Sequence, residues 1–159
     1  DILENGRCKK TGALVQYYGS DSFDSANLLA EPYGFLKADD PIYVNTVLET
    51  HKHLCRDGLM YRYKNEDDFG KPKSSFTVCT FWMIKALYRI GKKKEARDMF
   101  ENMLQYTNHL GLLSEDIDFE SKRLLGNFPQ GYSHLALIDT AMTLSGIPDW
   151  YHKADHFWR

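Results

Sequence analysis

SSFTVCTFWMIKALYRIGKKKEARDMFENMLQYTNHL, residues 74–110, contains two predicted helices of different character. Residues 76–90 are apolar around almost the whole helical circumference, which predicts a buried helix that is capped by Ser74 or Ser75 and ends at Gly91. The second half predicts a half-exposed helix with one apolar stripe, which contains Ala96, Met99, Phe100, Met103, Leu104, Thr107 and Leu110. A buried helix followed by a two-faced helix predicts a helical hairpin.

The same alternation continues on both sides of this hairpin. Asp40 followed by Pro41 predicts an N-cap with proline at the first helical position, and hence an amphipathic helix over residues 41–55. Residues 131–146 are again mostly apolar, so we expect a helix that lies inside. A shorter helix is expected over residues 22–30.

The helices repeat along the chain. Gly58 recurs at Gly111 after 53 residues, and Gly91 recurs at Gly146 after 55. Such a repeat predicts helical hairpins packed side by side, as in an open solenoid or a closed α/α toroid. The expected fold class is therefore all-α, with about five main helices and only short extended pieces between them.

Composition limits the classes of function. With 159 residues and 43% hydrophobic content, the chain is expected to form one domain with a core. The net charge of −2 gives no reason to expect nucleic acid or an anionic membrane as a partner, and no apolar run is long enough for a membrane span. Three widely spaced cysteines, Cys8, Cys55 and Cys79, argue against a disulfide framework and favour a reducing, cytoplasmic location.

Acidic residues cluster after the half-exposed helix, at Glu115, Asp116 and Asp118, and Arg62 occupies the place of Glu115 one repeat earlier. Loops that leave the same end of neighbouring hairpins are able to form a site. A carboxylate that faces an arginine can stay ionised and act as a general base, whereas a solvated turn is the simpler alternative. The segment lacks the glycine and the distal glutamate of a calcium loop, so we expect neither a metal nor another cofactor.

Polar side chains also precede the last predicted helix. Asn127, Gln130 and Tyr132 lie close to its positively polarised N-terminal end. They are able to hold a polyol, or simply to cap the helix, and the spacing alone does not distinguish the two.

Residues 111–141, GLLSEDIDFESKRLLGNFPQGYSHLALIDTA, strongly resemble the closing segment of the catalytic domain of glycoside hydrolase family 15, the glucoamylase, glucodextranase and trehalase family. Residues 57–104 and 16–41 resemble its preceding hairpins in the same order, so that the resemblance covers about residues 13–145. The runs EDDFG and CTFW are most similar to the prokaryotic glucoamylase-like branch.

The resemblance implies a fold and a reaction. The chain would be part of an (α/α)6 barrel, with residues 1–146 forming the C-terminal portion of the catalytic domain and residues 147–159 forming a tail. The family inverts the anomeric centre when it hydrolyses α-glucosidic bonds, with one carboxylic acid protonating the leaving oxygen and one carboxylate activating water. The expected substrate is therefore an α-glucoside or an oligosaccharide.

The resemblance also implies roles for residues. Glu115, in the LLSED motif, corresponds to the family's general base, and Arg62, in the YRY motif, to an arginine that hydrogen-bonds sugar hydroxyls. Tyr18 and Asp21 of YYGSD, and Phe76 of SSFTVCTFW, are similar to residues that line the site. The remaining acids of the cluster are expected to shape the loop.

One part of the family pattern is missing. The general acid of the family lies upstream in a Trp-Glu motif, and none of Trp82, Trp150 and Trp158 is followed by glutamate. We expect the chain to carry the base without the acid and not to hydrolyse a glycoside alone, since loss of the acid typically lowers the rate about 10²- to 10⁴-fold. About five helices do not close a barrel, so we expect a second copy of the chain, in a homo-oligomer, or flanking chain to cover its open sides.

Two other functions fit the same sequence features. A helical-repeat interaction module would use a concave surface, with Glu115 and Arg62 only as charges at its rim. A non-catalytic remnant of the same fold would bind a glycan without turnover.

Overall fold

Helices dominate the computed structural model, which describes residues 1–68 and 70–147. Most of the tail expected at residues 147–159 lies outside the described residues. The described helices are α1 (Ile2–Asn5), a 3₁₀ helix (Ser25–Ala30), α2 (Pro41–Leu54), α3 (Thr77–Arg89), α4 (Lys93–Leu104) and α5 (Gly131–Leu144). The described strands are β1 (Cys55–Arg56), β2 (Leu59–Met60), β3 (Ser74–Phe76), β4 (Asp116–Asp118) and β5 (Leu124–Leu125).

Helix α3 is the centre of the core, as its apolar sequence predicts. It packs against α2, α4, α5 and the 3₁₀ helix. Phe81, Met83, Ile84 and Leu87 are completely buried. Each side chain of this kind contributes about 1.5–3 kcal/mol by leaving water. The rest of the fold is therefore built around this one helix.

The predicted cap of α3 is wrong. Its N-cap residue is Phe76, which makes no capping hydrogen bond through its side chain. Ser74 and Ser75 belong to β3 instead, where Ser75 pairs with Ile117 of β4 and its Oγ donates to the carbonyl of Ile117 at 3.1 Å. Pairing with a strand distant in sequence takes the two serines away from the helix end.

The predicted burial of α5 is also wrong for one face. Ser133, Thr140 and Leu144 are buried, whereas Leu135 and Ile138 are 67% and 56% exposed. The extensive contacts of α5 are with α3, and within residues 1–68 and 70–147 its opposite face packs against no other helix to a similar extent. An apolar face of this kind on a single chain marks a surface that another part of a protein covers.

The other helices follow local signals. Helix α2 begins at Pro41, and the side chain of Asp40 accepts from the backbone N of Ile42 at 2.7 Å, as predicted. The helix expected at residues 22–30 is shorter and has 3₁₀ geometry. Helix α4 ends at Leu104, well before the last residue of its predicted stripe, because residues 105–112 form turns.

Two small antiparallel sheets show that the all-α expectation is incomplete. Strands β1 and β2 form a hairpin, and β3, β4 and β5 form a three-stranded sheet with β4 in the middle. In this sheet Phe76 pairs with Asp116. The sheet therefore places the start of α3 directly beside the acidic cluster.

Cys8, Cys55 and Cys79 are free thiols. Burial raises the pKa of the thiols of Cys55 and Cys79.

Within residues 1–68 and 70–147, none of the helices is long and apolar enough to cross a membrane.

Candidate active site

The loops that carry Arg62 and Glu115 meet at the N-terminal end of α3. The backbone N of Thr77, the first residue of α3, donates to the carbonyl oxygen of Glu115 at 2.9 Å. The carbonyl oxygen of Arg62 accepts from the backbone N of Ser25 at 2.8 Å. The two loops are thus each fixed by backbone hydrogen bonds.

The Cys79 thiol, in the first turn of α3, lies close to charged residues of both loops. Burial is the main reason that the pKa of Cys79 is raised; the charge of Arg62 opposes this effect, and the charges of Asp24 and Asp116 add to it. Arg62, Asp24 and Asp116 therefore all lie near the first turn of α3. This burial makes Cys79 an unreactive core thiol rather than a nucleophile.

Glu115 is held by Asn127. Its Oε2 accepts from the backbone N of Asn127 at 3.1 Å and from Nδ2 of the same residue at 2.9 Å. The backbone N of Glu115 in turn donates to the carbonyl oxygen of Asn127 at 3.0 Å. Oε1 accepts no hydrogen bond from the part of the chain that the structure describes. The half-buried carboxylate therefore has one fixed oxygen and one available oxygen.

A glycine makes this contact possible. Gly126 has a φ of 73°, in the left-handed region that favours glycine. A Cβ on Gly126 would lie 2.9 Å from Oε2 of Glu115, closer than real Cβ atoms approach. Any side chain at this position would push the carboxylate away from Asn127.

Arg62 is oriented by Asp24, which the sequence did not identify. Nε of Arg62 donates to Oδ1 of Asp24 at 2.7 Å, and the same oxygen accepts from the backbone N of Ala26 at 2.7 Å. Burial acts to lower the pKa of Arg62, but the hydrogen bond and the charge of Asp24 outweigh it, so the pKa is raised. The two terminal guanidinium nitrogens have no partner among the described residues, and the side chain is 40% exposed. Arg62 therefore presents free donors.

The other two acids of the cluster have local partners. Asp116 accepts a hydrogen bond from Oγ of Ser74, and burial raises the pKa of Asp116, with a smaller contribution from the charge of Glu115. Oδ1 of Asp118 accepts from the backbone N and the Oγ of Ser121, both at 2.6 Å, which lowers the pKa of Asp118. Asp118 thus closes a turn.

The structure unites only part of the predicted site. Phe76, the N-cap of α3, is opposite Asp116 in the sheet and hence beside Glu115. Tyr18 and Asp21 have other partners: the Tyr18 hydroxyl donates to Asp1 at 2.8 Å, and Asp21 accepts from Sγ of Cys8 at 3.2 Å. Neither makes a described hydrogen bond to Arg62 or Glu115.

The polar residues before α5 divide into two roles. Oε1 of Gln130 accepts from the backbone N of Tyr132 at 3.3 Å, so Gln130 is a helix cap. Asn127 instead binds Glu115. The ring of Tyr132 is half exposed and meets Trp82 edge-on, with ring centroids 6.4 Å apart. The pattern that the sequence left open therefore combines a cap with a support for the carboxylate.

A cavity of about 150 Å³ lies between α3, α5 and the 3₁₀ helix. Its wall includes Lys85 and Asp139, whose side chains form an ion pair with an Nζ–Oδ2 distance of 2.8 Å. Neither Glu115 nor Arg62 lines it. We therefore place the candidate site at the loops that carry Arg62 and Glu115 rather than in this cavity.

Comparison with known proteins first gives the class: the chain matches a family of glycosyl hydrolases over most of its length. It belongs to glycosyl hydrolases family 15, whose sequence profile matches residues 1–142. The resemblance predicted from the sequence is thereby confirmed.

The curated relatives are named trehalases. The chain is 41% identical over 145 residues to the trehalase of Thermoplasma volcanium, which covers 91% of this chain and 23% of the relative. It is also 41% identical over 145 residues to the trehalase of Mycolicibacterium smegmatis, covering 89% and 22%. The chain thus spans about a quarter of the length of these relatives. They point to a trehalase-like protein rather than specifically to the glucoamylase-like branch that the motifs suggested.

Solved structures support the fold. A wild-type glycosidase superposes with a TM-score of 0.77, at 20% identity, over 92% of this chain and 42% of its own length. A glycosidase variant in complex with glucose gives the same TM-score at 19% identity. Identities this low speak for the fold alone.

Proposed function

We propose that this chain is the base-carrying part of an inverting glycoside hydrolase that cleaves the α-glucosidic bond of trehalose. One observation carries the proposal: Glu115, the glutamate of the LLSED motif, has Oε2 fixed by two N–H donors and Oε1 available. Membership of glycosyl hydrolases family 15 supports the reaction class. The names of the relatives support the choice of trehalose.

In the proposed reaction, Oε1 of Glu115 takes a proton from a water molecule. The oxygen of that water attacks the anomeric carbon of one glucose as the bond to the leaving oxygen breaks. A carboxylic acid outside this chain donates a proton to the leaving oxygen, about 6.5–9.5 Å from the base in inverting enzymes. Arg62, held by Asp24, donates its free N–H groups to sugar hydroxyls.

The hairpins of the described chain would form part of an (α/α)6 barrel in the complete protein. Residues 1–146 would be the C-terminal portion of that catalytic domain. The loops at the N-terminal end of α3 would then face the sugar, and the exposed face of α5 would meet other helices of the barrel. The TM-score of 0.77 against a glycosidase supports this arrangement.

The test uses the complete protein that carries this chain and its Glu115→Gln variant. Proton NMR of trehalose hydrolysis should show one β-glucose and one α-glucose released per bond, before mutarotation, because the attacked centre inverts. Glu115→Gln should lower kcat by about 10²-fold or more, since the amide cannot accept the proton. KM should change little.

Glu120→Gln is the matched control. Glu120 lies five positions further along, is exposed, and forms an ion pair with Arg56 away from the site. Near wild-type turnover by Glu115→Gln would refute the proposal. Release of two α-glucose molecules would refute inversion, and sugar binding without any turnover would support the non-catalytic remnant instead.

A further inference from the structure

We propose that Asn127 is a positioning residue for the base, and that position 126 is glycine because any larger residue would displace the carboxylate from Asn127. This inference rests on the proposed function of Glu115. Asn127 does not touch the sugar or the water in this scheme; it acts through the carboxylate of Glu115.

The first argument is the number of contacts between the two residues. Asn127 donates twice to Oε2 of Glu115, from its backbone N and from Nδ2, and accepts once from the backbone N of Glu115. A carboxylate held at one oxygen by two donors in different directions has its rotation restricted. The direction of Oε1 is thereby set before a water molecule arrives, which is what efficient proton transfer requires.

The second argument is the contrast with the next residue. Burial raises the pKa of Asp116, and the charge of Glu115 raises it further. Asp116 accepts a hydrogen bond from a hydroxyl of Ser74, whereas Glu115 accepts from two amide N–H groups. Of the two adjacent carboxyls, Glu115 is therefore the one held by two N–H donors, and both donors belong to Asn127.

The third argument is the shape of the backbone at Gly126. Its ideal Cβ position lies 2.9 Å from Oε2 and 3.0 Å from Cβ of Glu115. The contact with Cβ of Glu115 is also tight, so the side chain has to shift near its base as well as at its carboxylate. Gly126 and Asn127 thus form a cradle that the Glu115 side chain fills.

The main test measures kcat, KM and the unfolding temperature of Asn127→Ala in the complete protein. We expect kcat to fall about 10- to 100-fold, with KM changed less than about 3-fold, because an interaction with the base alone is lost. A merely structural role would lower the unfolding temperature without separating kcat from KM in this way.

Asn108→Ala is the matched control. Asn108 supports the loop before Glu115 by accepting from the backbone N of Leu110 and of Leu112, both at 2.9 Å, and makes no described contact with Glu115. Its substitution should lower the unfolding temperature without a matching fall in kcat. If Asn127→Ala does the same, or has wild-type kinetics, the inference is overturned.

A second pair of variants keeps the inference testable if Asn127→Ala fails to fold. Gly126→Ala and Gly146→Ala place the same strain on left-handed glycines, with φ of 73° and 74°. Among the described residues, Gly146 has no atom within 4 Å of its Cβ position and is not near Glu115 in any described contact, so only Gly126→Ala should disturb Glu115. We expect kcat to fall about 10-fold or more in Gly126→Ala alone. Equal activities would count against the cradle.

The result for Glu115→Gln separates the two proposals. If Glu115→Gln loses activity and Asn127→Ala keeps wild-type kinetics, the proposed function stands and the positioning role of Asn127 is refuted. Retained activity in Glu115→Gln removes the proposed function itself.

Discussion

Asp24 and Arg62 show how one residue prepares another for binding. They are 38 positions apart, and their contact uses Nε of the arginine, leaving the two terminal nitrogens for a ligand. A guanidinium fixed at one edge presents its remaining donors in a defined plane, which suits the hydroxyls of a sugar. The orientation of Arg62 therefore depends on the carboxylate of Asp24.

Asp24→Asn in the complete protein should raise KM for trehalose about 3- to 10-fold and change kcat less, because the charge that orients Arg62 is lost while the base is untouched. Asp40→Asn is a matched control, because Asp40 caps α2 with the same 2.7 Å hydrogen bond but binds no arginine within the described ranges, 1–68 and 70–147. Asparagine is an equally good N-cap, so neither variant should lose the helix start. Steady-state kinetics of both variants give the answer, and an unchanged KM in Asp24→Asn would contradict it.

The position of the candidate site is partly predictable from the sequence. Motifs identify Glu115 and Arg62, and the structure places both near the start of α3, whereas their roles stay predictions. Asp24 and Asn127 were not assigned these contacts, because each meets its partner only after folding, across 38 and 12 positions. Asp24 also caps the 3₁₀ helix, because its Oδ1 accepts from the backbone N of Ala26. The roles of Tyr18, Asp21 and Phe76 in binding remain predictions.

At the level of elements, strand β4 carries two aspartates in opposite electrostatic states. Burial raises the pKa of Asp116 at one end, and hydrogen bonds from Ser121 lower the pKa of Asp118 at the other. A carboxyl whose pKa is raised by folding binds more protons in the folded state, so its contribution to stability is lost as the pH rises above about 4. A carboxyl whose pKa is lowered contributes above about 4 and loses that contribution as the pH falls further.

Asn substitutions at the two ends of β4 should therefore have opposite signs. The free energy of unfolding of Asp116→Asn, measured relative to the wild type, should be higher at pH 7 than at acidic pH. The reason is that the substitution removes a charge that is costly to bury. Asp118→Asn should lose free energy of unfolding at pH 7 and match the wild type near pH 2. Urea unfolding of the complete protein at several pH values measures both, and parallel changes in the two variants would contradict the assignment.

Local signals predicted elements well where the element depends on its own sequence. Asp40 and Pro41 started α2 at the predicted place, and the apolar residues of α3 predicted its burial. The cap of α3 was wrong because Ser75 pairs with Ile117, 42 positions away. The predicted burial of α5 was wrong for one face, because burial depends on which elements pack against a helix. The composition of the helix itself does not contain that information.

At the scale of the whole molecule, one face of α5 exposes Tyr132, Leu135 and Ile138. These residues are spaced three positions apart and so follow one side of the helix. Covering by a second copy or by other parts of a longer protein stays a prediction.

Residues 1–147 produced alone should associate through this face. A double variant, Leu135→Lys with Ile138→Lys, should reduce the association measured by light scattering, because charges on the apolar side oppose contact. Leu110→Lys is the control, since Leu110 is 69% exposed and lies on a turn rather than on α5. Equal scattering by the double variant and the control would show that α5 is not the surface responsible.

The hydrogen bond from the amide of Thr77 to the carbonyl of Glu115 couples the start of helix α3 to the position of Glu115. Helix α3 has no side-chain cap, so the peptide group of the proposed base satisfies the first amide of the central helix. The protein cannot complete its core helix without also placing this glutamate. Hydrogen exchange at the Thr77 amide should therefore follow the opening of the site and the fraying of the core helix as a single cooperative event.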